Sequence, residues 1–287
     1  MKGKICIITG ANSGLGLEAA CQLAEKGAEL GLICRSKEKG EIAKAAILSR
    51  KAEAKVHLFA ADFSSQQQIQ TVAREIHATF SHIDVLLNNA GAVFSSFALS
   101  EDGIEMTMAV NHFAYFSLTN ALLDLLEKSS EPRIINVASE SYASGTIHFP
   151  SFTKNTNYFV FKAYAQSKLA NLLFTYELDR RLRAKKSKIT VNALNPGRVK
   201  TDIGIKNQHW FIAGVWHWLT KLTAISVQEG VNIYLYLATS PEMKDRSGLY
   251  FDRLKETKTS KKSHDEAVAR QLWEESERVM HQQMNKK

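Results

Sequence analysis

A phenol and an ammonium one helical turn apart can move a proton, because a lysine beside a tyrosine stabilises the phenolate and draws its pKa down from about 10. The stretch "FVFKAYAQSKLANLLF" (159–174) carries such a pair, Tyr164 and Lys168, inside an apolar, helix-favouring run. Tyr158 and Lys162 repeat the spacing six residues earlier, so spacing alone leaves two candidates. The apolar pattern continues past Lys168 through Leu172, Leu173 and Leu178, which favours the later pair and leaves Tyr158 as a lid or packing residue. A second group is "TGANSGLG" (9–16), with Gly10, Gly14 and Gly16 following an apolar run. Glycines there permit a tight turn and close backbone approach to a pyrophosphate, whose charge suits the amino end of the next helix. The spacing is T-G-x-x-x-G-x-G rather than G-x-G-x-x-G. A third feature is Arg35, standing after "ELGLIC" with Lys37 and Lys39 close behind. An acidic residue in that place would bind the ribose 2′-hydroxyl of NAD, whereas arginine accommodates the 2′-phosphate of NADP. NADP(H) is therefore the preferred cofactor and NAD(H) the second choice.

These groups need a frame, and the chain supplies alternating strand and helix signals. Short apolar runs occur at 4–9, 29–34, 55–60, 83–88, 133–139 and 189–195, with a weaker one at 248–251. Helix-length stretches with apolar residues three and four apart lie between them, at 15–26, 66–80, 104–127, 161–184 and 226–238. Strands that read as continuous apolar runs are those of a parallel sheet covered on both faces. The expected fold is α/β, a Rossmann-type doubly wound parallel sheet in a single domain over 1–262. Residues 263–287 are an appended C-terminal segment, reading as a polar helix over 263–284. Ligands of such sheets bind at the carboxyl ends of the strands, near the switch in strand order.

Composition narrows the function classes. The 287 residues are 45% hydrophobic and 23% charged, enough to bury a large core. "MKGKICIITG" reaches glycine too soon for a signal-peptide core or a spanning helix, so a cytoplasmic location is expected. Cys6, Cys21 and Cys34 lack any metal-ligand spacing and read as reduced core residues; no metal site is expected. The net charge of +8 is spread over "RAKKSK" (183–188) and "KETKTSKK" (255–262), solvated loops rather than an aromatic-interleaved stripe, so no nucleic-acid partner is expected. No G-x-S-x-G elbow occurs, which disfavours a hydrolase.

The ordered set "TGANSGLG", Asp62, "NNAG" (88–91), "MAVNHFAYFSLT" (108–119), "RIINVASES" (133–141), "AYAQSKLAN" (163–171) and "NPGRVKT" (195–201) resembles the short-chain dehydrogenase/reductase family, in its retinol-dehydrogenase-like branch. The resemblance covers roughly residues 3 to 251. It implies that Asn111, Ser139, Tyr164 and Lys168 form a catalytic tetrad. Gly10, Ser13, Leu15 and Gly16 would line the pyrophosphate turn, and Asp62 would meet the adenine. Asn88 and its neighbours would close over the adenosine ribose and support the sheet, while Pro196, Val199 and Thr201 would hold the nicotinamide carboxamide. Tyr164 would then deliver a proton to the developing alkoxide, its pKa lowered by Lys168 together with the oxidised nicotinamide. Lys168 would also bind the nicotinamide ribose, Ser139 would hold the substrate oxygen, and Asn111 would keep a water relay in place. The family's serine before the lysine is Ser167, while the earlier pair has Phe161 in that place. Two departures stand out: Ala138 where a second serine is common, and a longer Ser139-to-Tyr164 separation carrying "GTIHFPSF" (145–152).

Substrate choice falls to residues 203–224, where Phe211, Val215 and Leu219 recur at four-residue spacing beside Trp218. An apolar helix there could be a lid over a lipophilic carbonyl or alcohol, a contact in a homo-oligomer, or a membrane-surface contact. The function expected is an NADP(H)-dependent oxidoreductase acting on a small-molecule alcohol, aldehyde or ketone. The alternative is a catalytically idle NADP(H)-binding sensor or scaffold.

Overall fold

The computed structural model describes residues 1–197 and 226–284, with side chains through residue 280. Strand β1 (Ile5–Thr9) leads into helix α1 (Gly14–Glu25), then β2 (Glu29–Cys34), α2 (Lys37–Arg50), β3 (Val56–Ala60) and α3 (Gln66–Thr79). β4 (Val85–Asn88) is followed by the single turn α4 (Met106–Met108), a π turn (Ala109–Phe113) and α5 (Ala114–Glu127). Next come β5 (Arg133–Val137), two 3-10 turns (Glu140–Ser144 and Phe149–Phe152), α6 (Val160–Ala184) and β6 (Thr190–Asn195). Helix α7 (Val227–Thr239), strands β7 (Leu249–Asp252) and β8 (Lys255–Glu256), and helix α8 (Glu266–Met284) complete the chain.

The strands form one sheet in the order β3-β2-β1-β4-β5-β6-β7-β8, parallel except for the short β7–β8 pair. β1 pairs with β2 on one side and with β4 on the other, so the strand order reverses between β1 and β4. Alternation along β1 sends its side chains into two apolar layers. Ile5 and Ile7 join Phe59, Ile69, Phe116 and Phe174, under α3, α5 and α6. Cys6 and Ile8 join Leu23, Leu30, Tyr234 and Leu237, under α1 and α7. Burial on both faces explains why the strands read as unbroken apolar runs. All three cysteines are free and buried, as their spacing predicts.

Helix α8 begins at a cap in which Ala267 and Val268 N–H groups donate to Asp265 Oδ1 at 3.0 and 3.1 Å. Its inner face is apolar. Trp273 is buried with its ring 4.8 Å from that of Phe116 on α5 and 5.9 Å from that of Phe174 on α6. The Arg181 guanidinium lies 4.2 Å from the Trp273 ring centroid. Burying an aromatic of this size stabilises by about 2–3 kcal/mol, so a helix that reads as polar in sequence is fixed by one stripe.

Candidate active site

The loops leaving β1 and β4 meet at the switch point. Gly10 and Gly14 have φ of +64° and +53°, the left-handed region that glycine enters without penalty. A Cβ on Gly10 would lie 2.9 Å from Ala90 Cα, and one on Gly16 would lie 2.5 Å from both Asn89 Nδ2 and Gly10 O. Ser13 is the N-cap of α1, Leu15 and Gly16 are buried in its first turn, and the Ser13 side chain takes none of the helix's free N–H groups. Such a tight, backbone-walled turn at a helix amino end fits a pyrophosphate.

Thr9, Asn89 and Tyr234 hold the two loops together. Thr9 Oγ1 accepts from the Asn89 and Ala90 N–H groups, both at 2.9 Å. Asn89 Nδ2 donates to Thr9 O at 2.9 Å, and its Oδ1 accepts from the Tyr234 hydroxyl of α7 at 3.1 Å. The only sequence signal for Thr9 is a hydroxyl at a strand end beside the glycine turn. The Asn88 side chain faces the sheet. It is fully buried, and its Nδ2 donates to Thr119 Oγ1 and Asn136 Oδ1, each at 2.9 Å. Its side chain therefore ties β4 to β5 and α5.

Arg35 stands exposed directly after β2. Asp62 follows β3, where its Oδ1 accepts from Ser64 N–H at 2.9 Å and Ser64 Oγ at 2.7 Å in a local turn. Pro196 is buried at the end of β6. Val199, Thr201 and the segment 203–224 lie outside the described residues.

Polar groups converge where β5 meets α6. Lys168 is 3% exposed, and its Nζ donates to Val137 O at 3.0 Å, two residues before Ser139. Tyr164, one turn earlier on α6, has its ring centroid 5.5 Å from Lys168 Nζ. Ser139 caps the 3-10 turn after β5, its Oγ accepting from Ser141 N–H at 3.3 Å. Asn111 sits in the middle of the π turn, fully buried. Its Oδ1 accepts from Ala92 N–H at 2.8 Å, while its Nδ2 donates to Ala92 O and Ser167 Oγ, both at 3.0 Å. Ser167 Oγ donates in turn to Tyr164 O at 2.8 Å. The four sequence-predicted residues are thus brought together, and the serine before the lysine connects Asn111 to the turn that carries the phenol. A Cβ on Gly91 would lie 3.5 Å from Asn111 Oδ1 and 3.8 Å from Lys168 Nζ, ordinary contact distances that place this residue beside both groups.

The rival pair separates. Tyr158 precedes α6 and lies outside it, whereas Lys162 is exposed on the helix's first turn. The Tyr158 hydroxyl donates to Phe94 O at 2.7 Å and lies 3.2 Å from Thr107 Oγ1, a packing role. The inserted segment is also packing: Phe152 is buried, with its ring 5.7 Å from that of Phe113.

Burial sets the electrostatics. It pushes the Tyr164 phenol up to about 12, with the Ser139 hydroxyl pulling the other way. It pushes the Lys168 ammonium down to about 8. The chain alone therefore does not lower the phenol's pKa, because desolvation outweighs the Ser139 hydrogen bond, while the Lys168 ammonium is directed at Val137 O. No group of metal-ligating residues occurs among the described residues, and no helix among them is long and apolar enough to cross a membrane.

Residues 4–211 match the family model for short chain dehydrogenases. The chain is 40% identical to human retinol dehydrogenase 13 over 97% of its own length and 85% of that protein's. It is 36% identical to human retinol dehydrogenase 11 over 96% of its length and 85% of that protein's. Among solved structures, a protein from Mycobacterium paratuberculosis superimposes with a TM-score of 0.76 at 30% identity, covering 98% of this chain and 94% of that one. A short chain dehydrogenase from Shigella flexneri, complexed with NADP, shares the fold with a TM-score of 0.68 at 23% identity, covering 89% and 98%.

Proposed function

The chain belongs to the short chain dehydrogenase family, and from that premise we propose that it is an NADP(H)-dependent oxidoreductase interconverting a lipophilic alcohol with its aldehyde or ketone. The observation that carries the proposal is the convergence of Ser139, Tyr164, Lys168 and Asn111 at the carboxyl edge of the sheet, beside the glycine turn. The retinol dehydrogenase names of its relatives support alcohol and aldehyde chemistry. The exposed Arg35 after β2, with no acid in its place, supports the 2′-phosphate over a bare ribose.

In reduction, Ser139 holds the substrate oxygen and the Tyr164 hydroxyl delivers its proton to that oxygen as charge develops there. When bound, the nicotinamide supplies the hydride. Lys168, whose Nζ donates to Val137 O, would bind the nicotinamide ribose and offer its positive charge to the phenolate. Asn111, fixed by Ala92 and Ser167, keeps the polar route behind Lys168 in place. Arg35, Asp62, Ser13 and the glycine turn would hold the remainder of the dinucleotide. In oxidation the same groups act in reverse.

The test is a panel of aromatic aldehydes, retinoids and steroids, followed through NADPH absorbance and repeated with NADH. Turnover with NADPH at lower KM than with NADH is expected. Binding of NADPH with no turnover on any carbonyl or alcohol would favour an idle dinucleotide-binding protein instead.

A further inference from the structure

Asn111 and His112 are neighbours in the π turn, yet they serve different sides of the molecule. Asn111 reaches Ala92 and Ser167 in the polar centre. His112 is buried against Phe113 and Phe174, and its Nε2 lies 3.1 Å from Ser276 Oγ on α8. Ser276 is fully buried and also donates to Leu272 O at 2.7 Å. Asn171 of α6 lies near the ring, although His112 Nδ1 and Asn171 Oδ1 are buried without a hydrogen-bond partner, and Asn171 Nδ2 donates to Val137 O at 3.3 Å. That carbonyl is the one that holds Lys168 Nζ. Burial presses the imidazole down to about 3, opposed by Asn171, so His112 is neutral throughout the working range.

An apolar contact would have sufficed to seat α8, since Trp273, Leu272 and Ala269 already do so. A buried imidazole and hydroxyl add nothing to burial and are costly unless paired. What they add is direction. A π turn breaks the regular helical hydrogen-bond ladder, and the fixed His112 Nε2 to Ser276 Oγ contact selects one arrangement of it.

We propose that Ser276 and His112 are positioning residues, a polar link through which the C-terminal helix holds the π turn, and with it Asn111, in register with Asn171, Val137 and Lys168. The link has no part in binding substrate or moving a proton, and its catalytic consequence rests on the oxidoreductase reading above.

The experiment uses the full chain with three single variants, Ser276→Ala, His112→Phe and Arg270→Ala, and the Ser276→Ala/His112→Phe double. Arg270 pairs with Glu266 on the exposed face of α8, away from the link, and serves as the control for helix stability. Ser276→Ala and His112→Phe are each expected to lower kcat by about tenfold, the usual size of a coupling through packed networks. KM for the carbonyl and affinity for NADPH should stay within about twofold, and the double variant should be no worse than the poorer single. Amide exchange, measured on the protein without cofactor, should quicken over residues 109–113 in Ser276→Ala and stay unchanged there in Arg270→Ala. Unchanged kcat, additive losses, an equal loss in Arg270→Ala, or faster exchange confined to 266–284 would each overturn the link. If the wild-type protein turns over nothing, the oxidoreductase reading fails, and exchange over 109–113 still decides whether the link exists.

Discussion

Lys168 holds its charge almost without water, and that has a measurable sign. An unfolded lysine titrates near 10.4, whereas burial lowers Lys168 to about 8. Between these values the unfolded chain binds more protons than the folded one, so stability rises with pH across that window, and the full penalty is present below about pH 8. Lys168→Met is expected to be the more stable protein at pH 7, by on the order of 3 kcal/mol at most, with the gap closing toward pH 10. Urea unfolding at the two pH values checks this; a variant less stable than wild type at pH 7 would contradict it. Tyr164→Phe should reduce the rate by about 10²–10⁴ while NADPH still binds, and Tyr158→Phe should leave kcat within a few-fold. Single-turnover rates with separate cofactor titrations distinguish them. Tyr164 and Lys168 stood out from the equally spaced Tyr158 and Lys162 because the apolar pattern runs on past Lys168 through Leu172, Leu173 and Leu178. The side-chain partners of Asn88 were not legible, since Thr119 and Asn136 are far off in sequence.

Helix α1 illustrates how an element can be tuned against its own propensity. Alanine is favoured over glycine in a helix by about 1 kcal/mol, so Gly16→Ala would stabilise α1 if space allowed. The added Cβ would instead meet Gly10 O at 2.5 Å, a backbone atom of the same turn that cannot swing aside. The variant should lose about 1–3 kcal/mol and bind NADPH more weakly, read by urea unfolding and cofactor titration. Unaltered affinity would detach Gly16 from the pyrophosphate turn. Most elements could be read from the sequence because parallel strands buried on both faces leave unmistakable apolar runs, and their observed ends fall within one or two residues of the runs. Helix α2 is not announced by apolar spacing, since its buried residues are only Gly40, Ala43 and Ile47. The π turn leaves no periodic trace at all, because it is an irregularity set by what Asn111 and His112 touch.

Across the molecule, the edge of the sheet opposite the site is fastened by one carboxylate. Asp84 is buried, which works to raise its pKa, but hydrogen bonds from Ser129 Oγ, Ile5 N–H and Lys4 Nζ prevail and lower it. A lowered carboxyl contributes stability above its unfolded pKa of about 3.9, and that contribution is lost as pH falls through the folded value. Asp84→Asn should therefore cost stability at pH 7 and much less near pH 3, as thermal melts at both pH values would register. Equal losses at both would place the effect in packing. At this scale the doubly wound plan was readable from the alternation of runs, but the inner stripe of α8 was not, because Trp273 and Ser276 are too few to shift a polar composition. The dependence of the π turn on α8 also imposes an order in time. His112 and Ser276 are 164 positions apart, so a ribosome adding about 5–20 residues per second needs roughly ten to thirty seconds between making one partner and the other. At the start of that interval the nascent chain holds strands β1 to β4, and the turn bearing Asn111 waits, unlatched, while β5, β6 and β7 are added and until α8 emerges.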